Sequence, residues 1–357
     1  MVRGVRDHLI QAIRPRSRAD VPVGVYLLGV ASVVAYLLRG EGAKLRNQVP
    51  TAHICCFSIE FPHESGVDET LLAENFADSV YHSEYHSLDL HSVGKFALPT
   101  LVRENGCKVV LTGEGADEHF AGYSYFSPDF VLGPDHSMPD STLALNNELR
   151  KAPPLVLFAP WVGRKWAGLD WRFTPVKALP PDVLEKVKNK WHPLHSSQYL
   201  WIKSLLANFW HSSLGDRTEM AHSIEARPPY LDHILSECVN GLPPSLRLGY
   251  TPEKSKEERD QGPFWDEAFG RASKRKYPYM APTRWPKDGP VHKKLREICT
   301  REAVESLGFV DSDVIESALS KGFGDDANLK SFRQLLAVGA WITIGERFEM
   351  KTAKMGD

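Results

Sequence analysis

Residues 108–123 read KVVLTGEGADEHFAGY. Val109-Val110-Leu111-Thr112 is a short uncharged run ending in a turn, which is how a strand buried on both faces of a parallel sheet reads. Two glycines then bracket a carboxylate, Gly113-Glu114-Gly115, and Asp117-Glu118 follow. Glycine lets backbone come close to a ligand, and open α/β sheets bind ligands beyond the carboxyl ends of their strands. Glu114 and Asp117 therefore stand where chemistry is usually done. The plainer alternative is a strand-to-helix turn in which Asp117 caps the helix.

The chain around this stretch repeats its pattern. Residues 5–13 carry apolar side chains at helical spacing, and 23–28 read as a first strand with a helix starting at 33–38. Residues 52–61 read as a second strand. Residues 69–80 form an amphipathic helix with Leu71, Leu72, Phe76 and Val80 on one side. A short strand over 84–90 and a helix over 94–103 precede the strand at 108–112. Strands alternating with helices predict a parallel, doubly wound α/β sheet. Beyond Tyr123 the pattern changes. Residues 124–193 are rich in proline and tryptophan and show no clear strand. Residues 198–214 read as a helix, and 329–348 as a long closing helix with Leu329, Phe332 and Leu336 on one face. Between them, residues 215–233 (GDRTEMAHSIEARPPYLDH) are dense in charge, as either an ion-pair network or a binding wall. The expected organisation is an α/β core over 1–123 and a mainly helical remainder of the same domain over 124–357.

A net charge of −2 lacks the basic excess of a nucleic-acid binder. Five cysteines, an odd count without a CxxC, suit free thiols in a reducing compartment, hence the cytoplasm. Residues 21–38 carry no charge and are long enough to cross a membrane. Pro22, Gly24, Gly29 and Ser32 split that run into a buried strand and a helix instead, so no membrane partner is expected. Self-association is left open.

Three stretches together resemble the synthetase domain of the asparagine synthase family: ADVPVGVYL at 19–27, VVLTGEGADEHFAGY at 109–123 and DRTEMAHSIEARPPYLDH at 216–233. They stand in the family's order on the expected elements. The resemblance implies an adenine-nucleotide α-hydrolase-like fold. It also implies a reaction in which Mg-ATP adenylates a carboxylate, after which ammonia attacks the acyl-adenylate and AMP and pyrophosphate leave. ATP and Mg²⁺ are the implied cofactors, and a small-molecule carboxylate is the implied substrate. By the same resemblance Glu114 is the general base, Asp117 a Mg²⁺ ligand and Lys276 the cation that steadies the transition state. Leu27, Ile59 and Gly113 would contact the nucleotide, with Glu114 beside them. Arg217, Glu225, Arg227 and Asp232 match the third signature and read as structural.

Three departures qualify what is implied. The family's pyrophosphate loop, serine–glycine–glycine–x–aspartate–serine, is replaced by Leu27-Leu28-Gly29-Val30-Ala31-Ser32, with one glycine and no aspartate. Loss of a metal carboxylate and of part of an anion cradle weakens nucleotide binding. The chain is thus either a ligase of this type or an inactive paralogue that acts as a binding or regulatory partner. The chain also opens on Met1-Val2-Arg3, without the family's N-terminal catalytic cysteine. The expectation is that no glutaminase domain is present and that free ammonia, another amine or a separate glutaminase subunit supplies nitrogen. Finally, where asparagine-forming members hold an arginine for aspartate, counting back from Glu114 lands on His91. Histidine does not replace a bidentate arginine, so aspartate as the substrate is in doubt.

Overall fold

A computed structural model describes residues 2–27, 54–56, 68–86, 88–104, 106–123, 126, 157–165, 179–247 and 284–354. Within them lie α1 (Val2–Arg16), β1 (Val23–Leu27), β2 (Ile54–Cys56), α2 (Glu69–Ser83), α3 (His91–Glu104), β3 (Val109–Leu111) and α4 (Ala116–Phe120). Then follow α5 (Pro160–Lys165), α6 (Pro181–Asn189), α7 (Pro193–Trp201), α8 (Thr218–Ala221), β4 (Glu225–Arg227) and α9 (His233–Asn240). The last four helices are α10 (Pro290–Ile298), α11 (Arg301–Ser306), α12 (Ser312–Lys321) and α13 (Leu329–Arg347).

The four strands form one parallel sheet in the order β2-β1-β3-β4, with Val25 opposite both Ile54 and Leu111 and Val110 opposite Ala226. The two-residue period of a strand assigns its side chains to opposite layers. Val23, Val25, Val109 and Leu111 pack against Val5, Leu9 and Ile13 of α1 and Leu235 and Val239 of α9. Tyr26 and Val110 point the other way, onto Leu98 and Val102 of α3. Helices on both faces make the sheet doubly wound, as the sequence pattern predicts. Among the described residues the largest apolar cluster joins α2 to the closing helices, with Phe76 and Val80 against Leu295, Leu335 and Leu336.

Several elements differ from expectation. Residues 84–86 and 88–90 form turns and bends rather than a strand. Glu84 adopts the left-handed conformation at φ +49°, ending α2, and the Asp89 carboxylate accepts from the His91 backbone to start α3. Two cap residues override the local strand pattern there. The predicted helix at 198–214 begins earlier, at Pro193, and widens to π geometry over Ile202–Trp210 and Ser212–Arg217. Asn208 and Ser212 turn their side chains back onto the carbonyls of Ser204 and Asn208, at 2.8 and 2.6 Å. Such bonds compete with the regular ladder and loosen a helix. In α13, Phe332 and Leu336 are buried, whereas Leu329 at its first position stays exposed. The start of the uncharged run 21–38 is the central strand β1, so it is not one continuous helix. No helix among the described residues is long and apolar enough to cross a membrane. The predicted helix at 33–38, most of the second strand's predicted span and the basic segment around Lys276 lie outside the described residues.

Candidate active site

β1 and β3 are neighbours, yet the chain leaves β1 for β2 on one side and reaches β3 on the other. Strand order therefore reverses between β1 and β3, and the crevice at their carboxyl ends is where open α/β sheets take ligands. β3 ends at Leu111, and the Thr112 N–H extends its pairing to the Arg227 carbonyl at 3.1 Å. The chain then turns sharply through Gly113, Glu114 and Gly115. Gly115 has φ +92°, and a Cβ there would strike the Leu231 side chain. Only glycine fits both the conformation and the space. Gly113, Glu114 and Asp117 are all partly exposed at this edge.

The turn is braced from behind. Gln198 of α7 donates from Nε2 to the carbonyls of Glu118 and His119, at 2.7 and 3.0 Å. Arg247 in turn donates to Gln198 Oε1 at 2.6 Å. Burial pushes the Arg247 guanidinium down to about 10. Glu118 is buried, and that burial, with the neighbouring charge of Asp117, raises its carboxyl to about 7 while the Tyr123 hydroxyl donates to it at 2.9 Å. Asp117 lies over Gly122, where an added Cβ would meet the Asp117 Oδ1 atom.

Two further charges, not anticipated from the sequence, sit beside Glu114. Lys95 of α3 places Nζ 2.7 Å from Glu219 Oε1 and 3.8 Å from Glu114 Oε1, with its ammonium 4.1 Å from the centre of the Tyr26 ring. The Tyr26 hydroxyl donates to Glu219 Oε2 at 2.6 Å. Burial alone would lower the Lys95 pKa, but the Glu219 and Glu114 carboxylates outweigh it and the ammonium is held above its ordinary value. Glu114 Oε2 is buried without a hydrogen-bond partner among the described residues. The available signal for Lys95 was its standing as the single charge in the otherwise uncharged run 92–102.

Of the residues predicted for the site, Gly113, Glu114 and Asp117 are brought together, and the backbone of Leu27 ends the adjacent strand. Ile59 and Lys276 lie outside the described residues. The four third-signature residues are tied into the scaffold. Arg217 donates to the Ser83 carbonyl, and Asp232 pairs with Arg16 at 2.9 Å while capping α9. Arg227 grips Glu225 and the carbonyls of Arg16 and Arg18.

Residues 75–343 match the family described as Asparagine synthase. The chain belongs to the asparagine synthase family. Among curated relatives it is similar to "Amidase chyE" of Penicillium rubens, at 33% identity over 99% of this chain and 63% of that protein. It is similar at 31% identity to "Amidase chry2" of Gibberella zeae, again over 99% of this chain and 63% of the relative. A glutamine-hydrolyzing asparagine synthetase of Bacillus subtilis is 25% identical over 71% of this chain and 36% of its own length. The chain therefore spans under two thirds of these relatives. The Penicillium alignment runs over 428 residues, more than the 357 of this chain, so internal segments of that relative have no counterpart here.

Proposed function

We propose that this asparagine synthase family member is an ATP-dependent ligase that turns a carboxylic acid into an amide, with release of AMP and pyrophosphate. The observation that carries the reading is the placement of Glu114, with its unpartnered Oε2, in the crevice between β1 and β3. A carboxylate resists attack by nitrogen until one of its oxygens is made a leaving group. In the first half-reaction the substrate carboxylate attacks the α-phosphorus of ATP and pyrophosphate departs. In the second, ammonia or an amine adds to the acyl carbon and AMP departs. Glu114 Oε2 takes the proton that the nitrogen must shed, a role a positioned carboxylate can fill.

The residues present fit Mg²⁺ held mainly by phosphate oxygens. Among the described residues no three ligating side chains converge, and Mg²⁺ bound with a nucleotide needs only one or two protein carboxylates. Asp117 is the residue that would supply one. The ion would neutralise phosphate charge as pyrophosphate leaves. Gly113 at the turn would let backbone approach the nucleotide, and Leu27 would flank it from β1. Lys276 would supply the second cation. Nitrogen would come from ammonia or a glutaminase subunit, and the thiols of Cys107 and Cys299, which are not joined in disulfides, suit a cytoplasmic setting.

A second reading is a non-catalytic relative that binds a partner. The incomplete pyrophosphate loop after Leu27 and the internal segments of the Penicillium relative that have no counterpart here favour it. Incubating the chain with Mg-ATP, ammonium chloride and a panel of carboxylic acids decides between them. Acid-dependent AMP supports the ligase. AMP at background with every acid refutes it. Parallel assays without ATP, using simple amides, test whether hydrolysis is the activity instead.

A further inference from the structure

Lys95 is out of place for a residue whose only task is to fold the chain. It stands on α3 among the buried side chains of Val93, Phe96, Leu98 and Val102, with 14% of its own side chain exposed. An apolar residue of similar length would fill that space without desolvating a charge. The ammonium is instead kept and aimed by three groups. Glu219, with none of its side chain exposed, gives Oε1 to Lys95 and Oε2 to the Tyr26 hydroxyl, so both of its oxygens are engaged. The Tyr26 ring lies 4.1 Å from Nζ, within range of a cation–π contact. The remaining approach of the ammonium is to Glu114 Oε1 at 3.8 Å. One cation thus stands between two carboxylates: Glu219 Oε1 and Glu114 Oε1 are ion-paired to it, Glu219 Oε2 accepts from Tyr26, and Glu114 Oε2 has neither an ion pair nor a hydrogen bond among the described residues.

We infer that Lys95, fixed by Glu219 and Tyr26, is the positioning residue that orients Glu114 for proton removal from the attacking nitrogen. The inference rests on the ligase reading above. Lys95 touches no reacting atom. It holds Oε1, which turns Oε2 into the single acceptor and keeps the carboxylate from rotating. Glu219 is needed because a buried ammonium with Glu114 as its sole counter-charge would pair with it directly and occupy the base. The proton passes from the nitrogen to Glu114 Oε2 and from there to solvent, and no oxidant or further reactant is involved.

The two half-reactions separate this role from a structural one. Adenylation, read as acid-dependent exchange of labelled pyrophosphate into ATP, needs no base for a nitrogen. Amide release in ammonium chloride does. Both are measured with the proteinogenic amino acid that gives most exchange in the wild-type chain. Lys95→Met should lower amide release about 100-fold, within the range of a general base, while exchange falls less than about threefold. Lys95→Arg should recover much of the loss. Because Lys95→Met strands Glu219, the uncharged double variant Lys95→Met/Glu219→Gln is the folding control and should show the same split. Equal loss in both half-reactions, or loss in neither, would overturn the inference. Absence of exchange in the wild-type chain would refute the ligase reading itself and take the inference with it.

Discussion

The Tyr26 hydroxyl donates a 2.6 Å hydrogen bond to Glu219 Oε2, tying the central strand of the sheet to the segment that carries the third signature. Both side chains are almost wholly buried. Tyr26→Phe keeps the ring and removes the donor, leaving a carboxylate oxygen in the interior without it. The expected loss is about 1–3 kcal/mol, read as a lower urea midpoint with an unchanged slope.

Gln198 is the brace behind the turn at Gly113–Gly115. It satisfies two carbonyls of α4 and one face of the buried Arg247 guanidinium. Gln198→Leu has nearly the same volume but strands all three groups. A loss of roughly 2–3 kcal/mol is expected from the unpaired polar groups, and a urea titration measures it. A change within 0.5 kcal/mol, the order of an ordinary surface substitution, would show that the brace carries no weight.

Gly122 sits under Asp117. Gly122→Ala would place a methyl group against the Asp117 carboxylate, so the carboxylate must move. The expected result is at least a tenfold weaker affinity for Mg-ATP with circular dichroism unchanged. Mg-ATP affinity equal to wild type would mean that Asp117 is free to shift or holds no metal.

Much of this arrangement was legible in the sequence, and the reasons differ by element. The buried run Val109–Leu111 and the glycines after it announce a strand and its ligand edge because apolar patterning and φ preference are local properties. Helix α2 is read from the spacing of Leu72, Phe76 and Val80 for the same reason. Lys95 and Glu219 are a different case. They belong to separate helices and meet only because α3 and α8 pack against the same side of the sheet, and no local pattern encodes that meeting. The stretch around Glu84 and Asp89 departs from its strand-like pattern because Glu84 in the left-handed region and Asp89 as a cap are decided by single residues that the apolar alternation conceals.

Acid should destabilise the fold between about pH 6.5 and 4. Burial, then the Arg247 charge, pushes the half-buried His195 imidazole down to about 4. Burial lowers His86, His192, His222 and His292 in the same direction. In that window these five imidazoles bind protons in the unfolded chain that they refuse in the folded one. Buried Glu118, whose carboxyl is raised to about 7, acts in the opposite direction, but the histidines outnumber it, so net stability rises with pH. The histidine contribution is fully present above about 6.5, the unperturbed histidine value. Melting temperature should fall steadily as pH drops from 7 to 4, and His195→Gln should flatten part of that slope. A flat profile in the wild-type chain would contradict the neutral assignment of these side chains.

Calorimetric titration of the full chain with Mg-ATP, with Asp117→Asn beside it, bears most directly on whether the crevice between β1 and β3 is a nucleotide site. Micromolar binding by the wild-type chain that Asp117→Asn weakens at least tenfold is the expected result. Absence of binding heat, or equal affinity in the two proteins, would contradict the assignment of a working Mg-ATP site to Gly113, Glu114 and Asp117.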